Sequence, residues 1–122
     1  MRDPNRIRKL LKHVEKCLKT NPELTLGKLI DSVAPGNPFL YYVEDTEFNK
    51  KLTELYGVEY DDSFDGELEN KNLIEIEQTW MQVPDMRFTQ LILNLFGDSS
   101  LLPYVEDDNL MDGFRSMYGG KL

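Results

Sequence analysis

The tetrapeptide Tyr42-Val43-Glu44-Asp45 occurs again, unchanged, as Tyr104-Val105-Glu106-Asp107. The two copies are 62 positions apart, and at that offset residues 10–57 align with residues 72–119 without a gap. Twelve of the 48 aligned pairs are identical, and most of the other apolar positions stay apolar. Because self-similarity at a fixed offset is the mark of duplicated structural units, we predict a tandem repeat. Two residues that are 62 positions apart are called equivalent.

Each unit is expected to form three helices, because its apolar residues recur every three to four positions. In the first unit Asp3 suits the N-cap of a helix over roughly residues 4–20, and Thr25 suits the N-cap of a short second helix. Asp45 suits the N-cap of a third helix, which Gly57 would end. The second unit repeats this plan over roughly residues 67–82, 86–96 and 107–118. We therefore predict an all-α fold of six helices in two tandem three-helix repeats.

A unit of about 50 residues buries little apolar surface on its own, so the two units are expected to share one core. The chain has 122 residues, of which 40% are hydrophobic, and this is enough for one small globular domain. We predict a single compact domain over 1–122. Its repeat units would be 1–57 and 67–119, joined by an acidic linker over 58–66.

The charge is uneven, with a net +5 over residues 1–19 and a net −13 over the remaining 103 residues. No apolar stretch approaches the ~18 residues of a membrane span, and the N-terminus lacks the apolar segment of a signal peptide. We therefore expect a cytoplasmic protein with no membrane partner. One cysteine and one histidine, Cys17 and His13, exclude an internal disulfide and a multi-cysteine metal site.

The repeated carboxylate pairs Glu44-Asp45 and Glu106-Asp107 could in principle serve acid–base chemistry or metal binding. Each pair lies where a helix is expected to begin, and there an acidic residue caps free N–H groups and complements the helix dipole. We interpret the pairs as caps. Together with Tyr42 and Tyr104 they are also candidate binding residues for a partner.

The first helix carries a basic face that could contact phosphates: Arg6, Lys9, Lys12, Lys16 and Lys19. Nucleic-acid binding through this face is the alternative function, although a pI of about 4.6 opposes it. We expect instead that the face neutralises the protein's own acidic surface or a partner chain. Cys17 and His13 lie four residues apart on this helix, but their equivalents are Thr79 and Glu75. An inert cysteine is therefore expected.

The segment 61–72 partly matches a calcium-binding loop, with five candidate ligands: Asp61, Ser63, Asp65, Glu67 and Glu69. The twelfth position of such a loop needs a bidentate Glu, and Asn72 stands there instead. We interpret the segment as a solvated acidic linker, with calcium or metal binding as a weaker alternative. No cofactor is predicted.

Several stretches resemble a family of short uncharacterised bacterial and phage proteins with an Arg-Asp-Pro motif, a Pro-Asp-Leu-Arg-Leu-Gly-Gln-Leu-Ile motif and an aromatic-Val/Ile-Glu-Asp motif. The matching stretches are Arg2-Asp3-Pro4, Pro22 to Ile30, Pro84 to Ile92, and the two Tyr-Val-Glu-Asp runs. Thr25 departs from the Arg of the pattern and Thr89 from its Gly. The resemblance implies a bacterial or phage protein and brings no activity with it.

The sequence contains no phosphate-binding glycine loop, no Ser-His-Asp set and no dinucleotide fingerprint, so no catalytic residue is predicted and an enzyme is not expected. The preferred function is non-catalytic binding of another protein, including inhibition or antagonism of a host or phage protein. A homodimer is one form of such a partnership. The expected compartment is the bacterial cytoplasm, or the host cytoplasm if the protein is phage-encoded.

Overall fold

The computed structural model of the chain describes residues 2–35, 38–97 and 99–119. Across these ranges the secondary structure is entirely helical, which confirms the all-α prediction. The six α-helices are α1 (Arg6–Thr20), α2 (Leu26–Ser32), α3 (Asp45–Tyr56), α4 (Lys71–Trp80), α5 (Phe88–Leu93) and α6 (Asp107–Tyr118). Two 3₁₀ helices, Pro38–Tyr42 and Ser99–Tyr104, were not predicted. None of the described helices is long and apolar enough to cross a membrane.

Two helices begin later than predicted. A turn precedes α1, in which the Asn5 N–H donates to the Asp3 carboxylate at 2.9 Å and the Arg6 N–H donates to the Asp3 carbonyl at 3.3 Å, and the helix begins at Arg6 rather than at residue 4. The Glu15 carboxylate accepts hydrogen bonds from the N–H groups of Glu69 and Asn70, at 2.7 and 2.6 Å. Helix α4 therefore begins at residue 71 rather than near 67, with the Asn70 side chain as its cap.

Two predicted helix ends are confirmed. The Thr25 hydroxyl accepts a hydrogen bond from the Lys28 N–H at 3.1 Å and caps α2. Gly57 follows α3 with φ 69°, a left-handed conformation that favours glycine because it lacks a Cβ atom. Helix α5 is shorter than predicted, since Arg87 is extended before it and Asn94 follows it.

The predicted apolar stripes form the core, in which Trp80, Phe48, Phe88 and Phe114 are the largest fully buried side chains. Leu55 and Met117, whose spacing within α3 and α6 predicts that they face inward, are instead 49% and 37% exposed. They are equivalent positions in the last turns of α3 and α6. In each helix the following tyrosine packs against the core instead, where the Tyr56 hydroxyl contacts Ser32 Oγ at 2.6 Å and the Tyr118 hydroxyl donates to Leu91 O at 2.7 Å.

The two halves of the chain make reciprocal contacts. Helices α1 and α4 pack against each other. Glu15, in the second half of α1, contacts the start of α4, and Glu77, in the second half of α4, forms an ion pair with Arg8 near the start of α1 at 2.6 Å. The two helices are therefore antiparallel. Helix α2 packs against the second 3₁₀ helix, and α5 packs against the first. Such reciprocity is expected of two units related by a twofold rotation, and superposition of residues 10–57 on 72–119 is the test of that prediction.

A glycine is required where α2 meets the second 3₁₀ helix. A Cβ atom on Gly27 would overlap the Leu102 carbonyl oxygen, a backbone atom, because the two would lie closer than the sum of their van der Waals radii. The equivalent residue Thr89 has room for a side chain, and its hydroxyl donates to the carbonyls of Tyr41 and Val43 at 3.3 and 3.0 Å. The two interfaces between the halves therefore differ in how closely the backbones approach.

Gly27→Ala is expected to lower the free energy of unfolding by about 1–3 kcal/mol, because the backbones of α2 and the second 3₁₀ helix must separate. Gly113→Ala is the control: it lies inside α6, and nothing that packs against this part of the helix lies within 4 Å of the place that a Cβ would take, so alanine should raise stability by up to about 1 kcal/mol. Urea unfolding of the two variants measures the difference. Equal stabilities would show that the close approach at Gly27 does not constrain the interface.

Candidate binding site

The repeated aspartates do not cap their own helices, which corrects the prediction made for Asp45 and Asp107. The N-cap residues of α3 and α6 are Glu44 and Glu106, and neither makes a side-chain cap hydrogen bond. Instead Asp45 Oδ1 accepts from the Phe88 N–H at 2.9 Å, and Asp107 Oδ1 accepts from the Leu26 N–H at 2.9 Å. Each aspartate thus binds the first residue of the short helix in the other half of the chain.

Asp45 also holds Arg6, which was predicted to belong to an exposed basic face. Arg6 Nε lies 2.7 Å from Asp45 Oδ2, and its Nη2 donates to Pro84 O and Met86 O at 2.8 and 2.9 Å. The guanidinium lies over the Trp80 ring at 5.3 Å. Because the two side chains are only 17% and 8% exposed, Arg6 is not available to phosphates. We call Asp45, Pro84, Met86 and Trp80 the arginine cradle.

The N-terminal segment adds a second arginine beside the cradle. Arg2 Nη2 lies 3.0 and 3.2 Å from the two carboxylate oxygens of Glu44, and the Arg2 N–H donates to Asp85 Oδ1 at 3.0 Å. Glu44, one of the predicted binding residues, therefore already has a partner within the chain.

The other half of the chain contains an open pocket of about 380 Å³. Asp107, Pro22, Leu24 and Leu18 line it, and these are the residues equivalent to the four members of the arginine cradle. Leu68 stands at the position equivalent to Arg6, and it is buried but does not line the pocket. We call this cavity the open pocket.

Glu15 also lines the open pocket and binds the backbone N–H groups of Glu69 and Asn70, which line it too. Burial raises the pKa of the Glu15 carboxyl, but hydrogen bonds from Lys12, Asn70 and Glu69 outweigh that effect, so the net pKa is lowered. Lys12 Nζ lies 2.6 Å from Glu15 Oε1. The carboxylate is therefore ionised at neutral pH and ties the start of α4 to α1.

The basic face of α1 is largely paired with acidic residues of the same chain. Lys9 lies 3.9 Å from Asp62, and Lys19 lies 3.3 Å from Glu69. Hydrogen bonding to Glu15 raises the pKa of the Lys12 ammonium. Among the predicted basic residues, Lys16 forms no ion pair with any residue in the described ranges. Sequence reasoning missed Arg8 and Glu77, whose ion pair joins the two halves.

The five candidate calcium ligands do not converge. Asp61 accepts hydrogen bonds from the Ser63 N–H and hydroxyl at 3.0 and 2.7 Å, while Glu67 and Glu69 form ion pairs with basic residues of α1. Asp65 lines a separate surface pocket beside Arg8 and Lys9. Over the described ranges, no group of three or more His, Cys, Asp or Glu side chains is placed to hold a metal ion.

The predicted tyrosines are among the most exposed apolar side chains of the described residues. Tyr42 and Tyr104 are 65% and 82% exposed at the ends of the two 3₁₀ helices. Phe39 and Leu101, also equivalent to each other, are 69% and 55% exposed on the same two helices. Sequence reasoning missed this second pair, although the alignment places a large apolar residue at both positions.

Cys17 is fully buried, and burial raises the pKa of its thiol to about 11. His13 cannot activate it, because its Nδ1 contacts Asn49 Oδ1 at 2.9 Å and its Nε2 contacts Val58 O at 2.6 Å. Both ring nitrogens are thus engaged away from the thiol. The arrangement provides no thiolate nucleophile.

Asp45→Ala is expected to lower the free energy of unfolding by about 3–5 kcal/mol, because it leaves the largely buried Arg6 guanidinium without its carboxylate. Asp107→Ala removes only the hydrogen bond to the start of α2 and should cost about 0.5–2 kcal/mol. Chemical denaturation of both variants provides the comparison. If the two equivalent substitutions lower the free energy of unfolding equally, the Arg6–Asp45 ion pair would add no stability beyond the hydrogen bond that both aspartates accept.

The lowered pKa of Glu15 predicts a specific acid sensitivity. Its folded pKa lies below its unfolded value, so its stabilising effect is present above about pH 4.5 and is lost as pH falls through the folded pKa. Glu15→Gln should reduce stability by about 2 kcal/mol at pH 7 and show a shallower loss between about pH 5 and pH 3. Thermal melts across that range test this, and a variant with unchanged pH dependence would contradict it.

Comparison of the chain with protein-family models, with curated proteins and with solved structures gives no match. No relative therefore supplies a function by similarity. The features of the chain that bear on function are its paired and unpaired charges, its exposed aromatic side chains and the open pocket.

Proposed function

We propose that this protein binds another protein without catalysing a reaction, and that the two 3₁₀ helices form its contact surface. The observation that supports this is the exposure of four large apolar side chains at two pairs of equivalent positions, led by Tyr104 at 82%. Exposed aromatic side chains are costly to leave in water, and they supply much of the energy at protein interfaces. Inhibition or antagonism of a host or phage protein in the cytoplasm is the form of binding that we favour.

The charged residues around these helices suit a partner with basic residues at its rim. Glu106 is exposed beside Tyr104, and none of the ion pairs among the described residues includes it. The chain carries a formal net charge of −8. An acidic surface of this kind accelerates association with a basic protein and repels polyanions.

The alternative function, nucleic-acid binding through α1, has less support. Four of its five candidate residues, Arg6, Lys9, Lys12 and Lys19, lie within ion-pair distance of carboxylates in the same chain. A phosphate would have to displace these carboxylates before it contacted any of the four. The basic face therefore fits internal neutralisation better than polyanion binding.

Affinity capture from the native host, quantified by mass spectrometry, tests the proposed function. Tyr42→Ala with Tyr104→Ala should weaken capture of a specific protein at least tenfold, as expected when central aromatic contacts are removed. Leu55→Ala is the control, since Leu55 is 49% exposed but lies outside the 3₁₀ helices. All variants should stay folded in a thermal melt, because the substituted side chains are exposed. Of the three substitutions, Tyr42→Ala should lower the melting temperature most, because the Tyr42 ring also contacts the Tyr41 ring and Arg87.

Two results would contradict the proposal. One is a captured protein that the tyrosine and control variants retain equally. The other is capture that nuclease treatment abolishes and that falls steeply with salt, which would favour the nucleic-acid alternative.

A further inference from the structure

We propose that the open pocket binds the guanidinium group of an arginine side chain supplied by a partner protein. The proposal rests on the proposed function in one respect, namely that the ligand belongs to another protein. It is argued from the arginine cradle, in which residues equivalent to those of the open pocket already hold a guanidinium within this molecule.

The acceptors of the two sites are positioned by the same backbone turn. Leu24 N donates to Asn21 O at 2.9 Å, and at the equivalent positions Met86 N donates to Val83 O at 3.1 Å. In the cradle this turn presents the carbonyls of Pro84 and Met86 to Arg6. In the other half it places Pro22 and Leu24 at the wall of the open pocket.

Asp45 and Asp107 make the same contact through Oδ1, and they differ in what Oδ2 contacts. Both use Oδ1 to accept from the first N–H of a short helix, at 2.9 Å in each case. Asp45 uses Oδ2 to hold Arg6 at 2.7 Å. Within the described ranges, no hydrogen bond or ion pair reaches Asp107 Oδ2. Asp107 lines the open pocket, and its Oδ2 is the oxygen equivalent to the one that holds Arg6 in the other half.

The chain does not fill the open pocket with an arginine of its own, because Leu68 stands at the position equivalent to Arg6. The helix also differs there: Arg6 is the first residue of α1, whereas α4 begins at residue 71, which is equivalent to residue 9, so α4 is about one turn shorter at this end. Leu18 in place of Trp80 further enlarges the cavity, since leucine is the smaller side chain.

The chemistry of the lining favours arginine over other cations. Asp107 brings a carboxylate to the wall of the pocket, and Pro22 and Leu24 stand at the positions of the two residues whose carbonyls accept from Arg6 in the cradle. A planar guanidinium with five N–H donors is suited to several acceptors at separate points. A lysine ammonium is a compact charge, so it can contact fewer acceptors that lie at separate points of the pocket. The lining of the open pocket also contains more acidic than basic side chains, namely Glu15, Glu69 and Asp107 compared with Lys19.

The N-terminal segment further indicates the spacing of the partner sequence. Arg2 and Arg6, four residues apart, contact Glu44 and Asp45. Their equivalents, Glu106 and Asp107, would receive two arginines with the same separation. We therefore infer a partner segment of the type Arg-x-x-x-Arg, whose second arginine enters the open pocket.

The test is an NMR titration of the full chain with an amidated synthetic peptide that has the sequence of residues 1–7. The Leu26 N–H resonance should shift, because that group donates to Asp107. Asp107→Asn should weaken binding at least tenfold, while its amide oxygen can still accept from Leu26. Asp108→Asn is the matched control, with the same charge change on the adjacent exposed residue, and should alter affinity less than twofold.

A peptide with lysine in place of its second arginine should bind at least fivefold more weakly. Equal loss of binding in the two asparagine variants would overturn the proposal, since it would indicate general charge attraction. Absence of a saturable shift up to about 1 mM peptide would also overturn it. If a protein partner nevertheless depends on Tyr42 and Tyr104, the proposed function stands and only the arginine pocket fails.

Discussion

The carboxylate of Asp45 joins three parts of the chain that are far apart in sequence. One oxygen holds Arg6 at the start of α1, and the other accepts from the first N–H of α5. Both charged groups are largely buried, so separating them would leave a charge away from water, which is strongly unfavourable. The packing of α1, α3 and α5 therefore depends on this contact, and the two halves cannot part without breaking it.

The same scaffold produces a filled site in one half and an open one in the other. The aspartate, the turn and the short helix are present in both, but the residue that supplies the arginine in one half, Arg6, is Leu68 in the other. Gly27 and Thr89 show the same divergence at the packed ends of α2 and α5, where one interface permits no side chain and the other uses a hydroxyl. Equivalent positions thus share backbone contacts while their side chains differ.

The pairing of charges separates the structural residues from those available to a partner. Most of the basic face of α1 is neutralised by Glu15, by the linker and by α4. By contrast, no ion pair among the described residues includes Glu106, one oxygen of Asp107 has no such partner, and Tyr104 is 82% exposed. The residues available to a partner therefore lie mainly outside α1, although α1 is the helix whose basic face the sequence marks as a candidate binding element.

The sequence by itself determined the helical class, the approximate helices, most of the core and the equivalence of the two Tyr-Val-Glu-Asp runs. These follow from local rules, because apolar spacing and capping residues act within a few positions along the chain. It also identified Asp45 and Asp107 as residues that bind free helix N–H groups. Only the tertiary structure decided which helices they bind, that Arg6 is buried, and that a pocket remains beside Asp107. Those outcomes depend on contacts between residues about 40 to 80 positions apart, and no periodicity specifies such contacts.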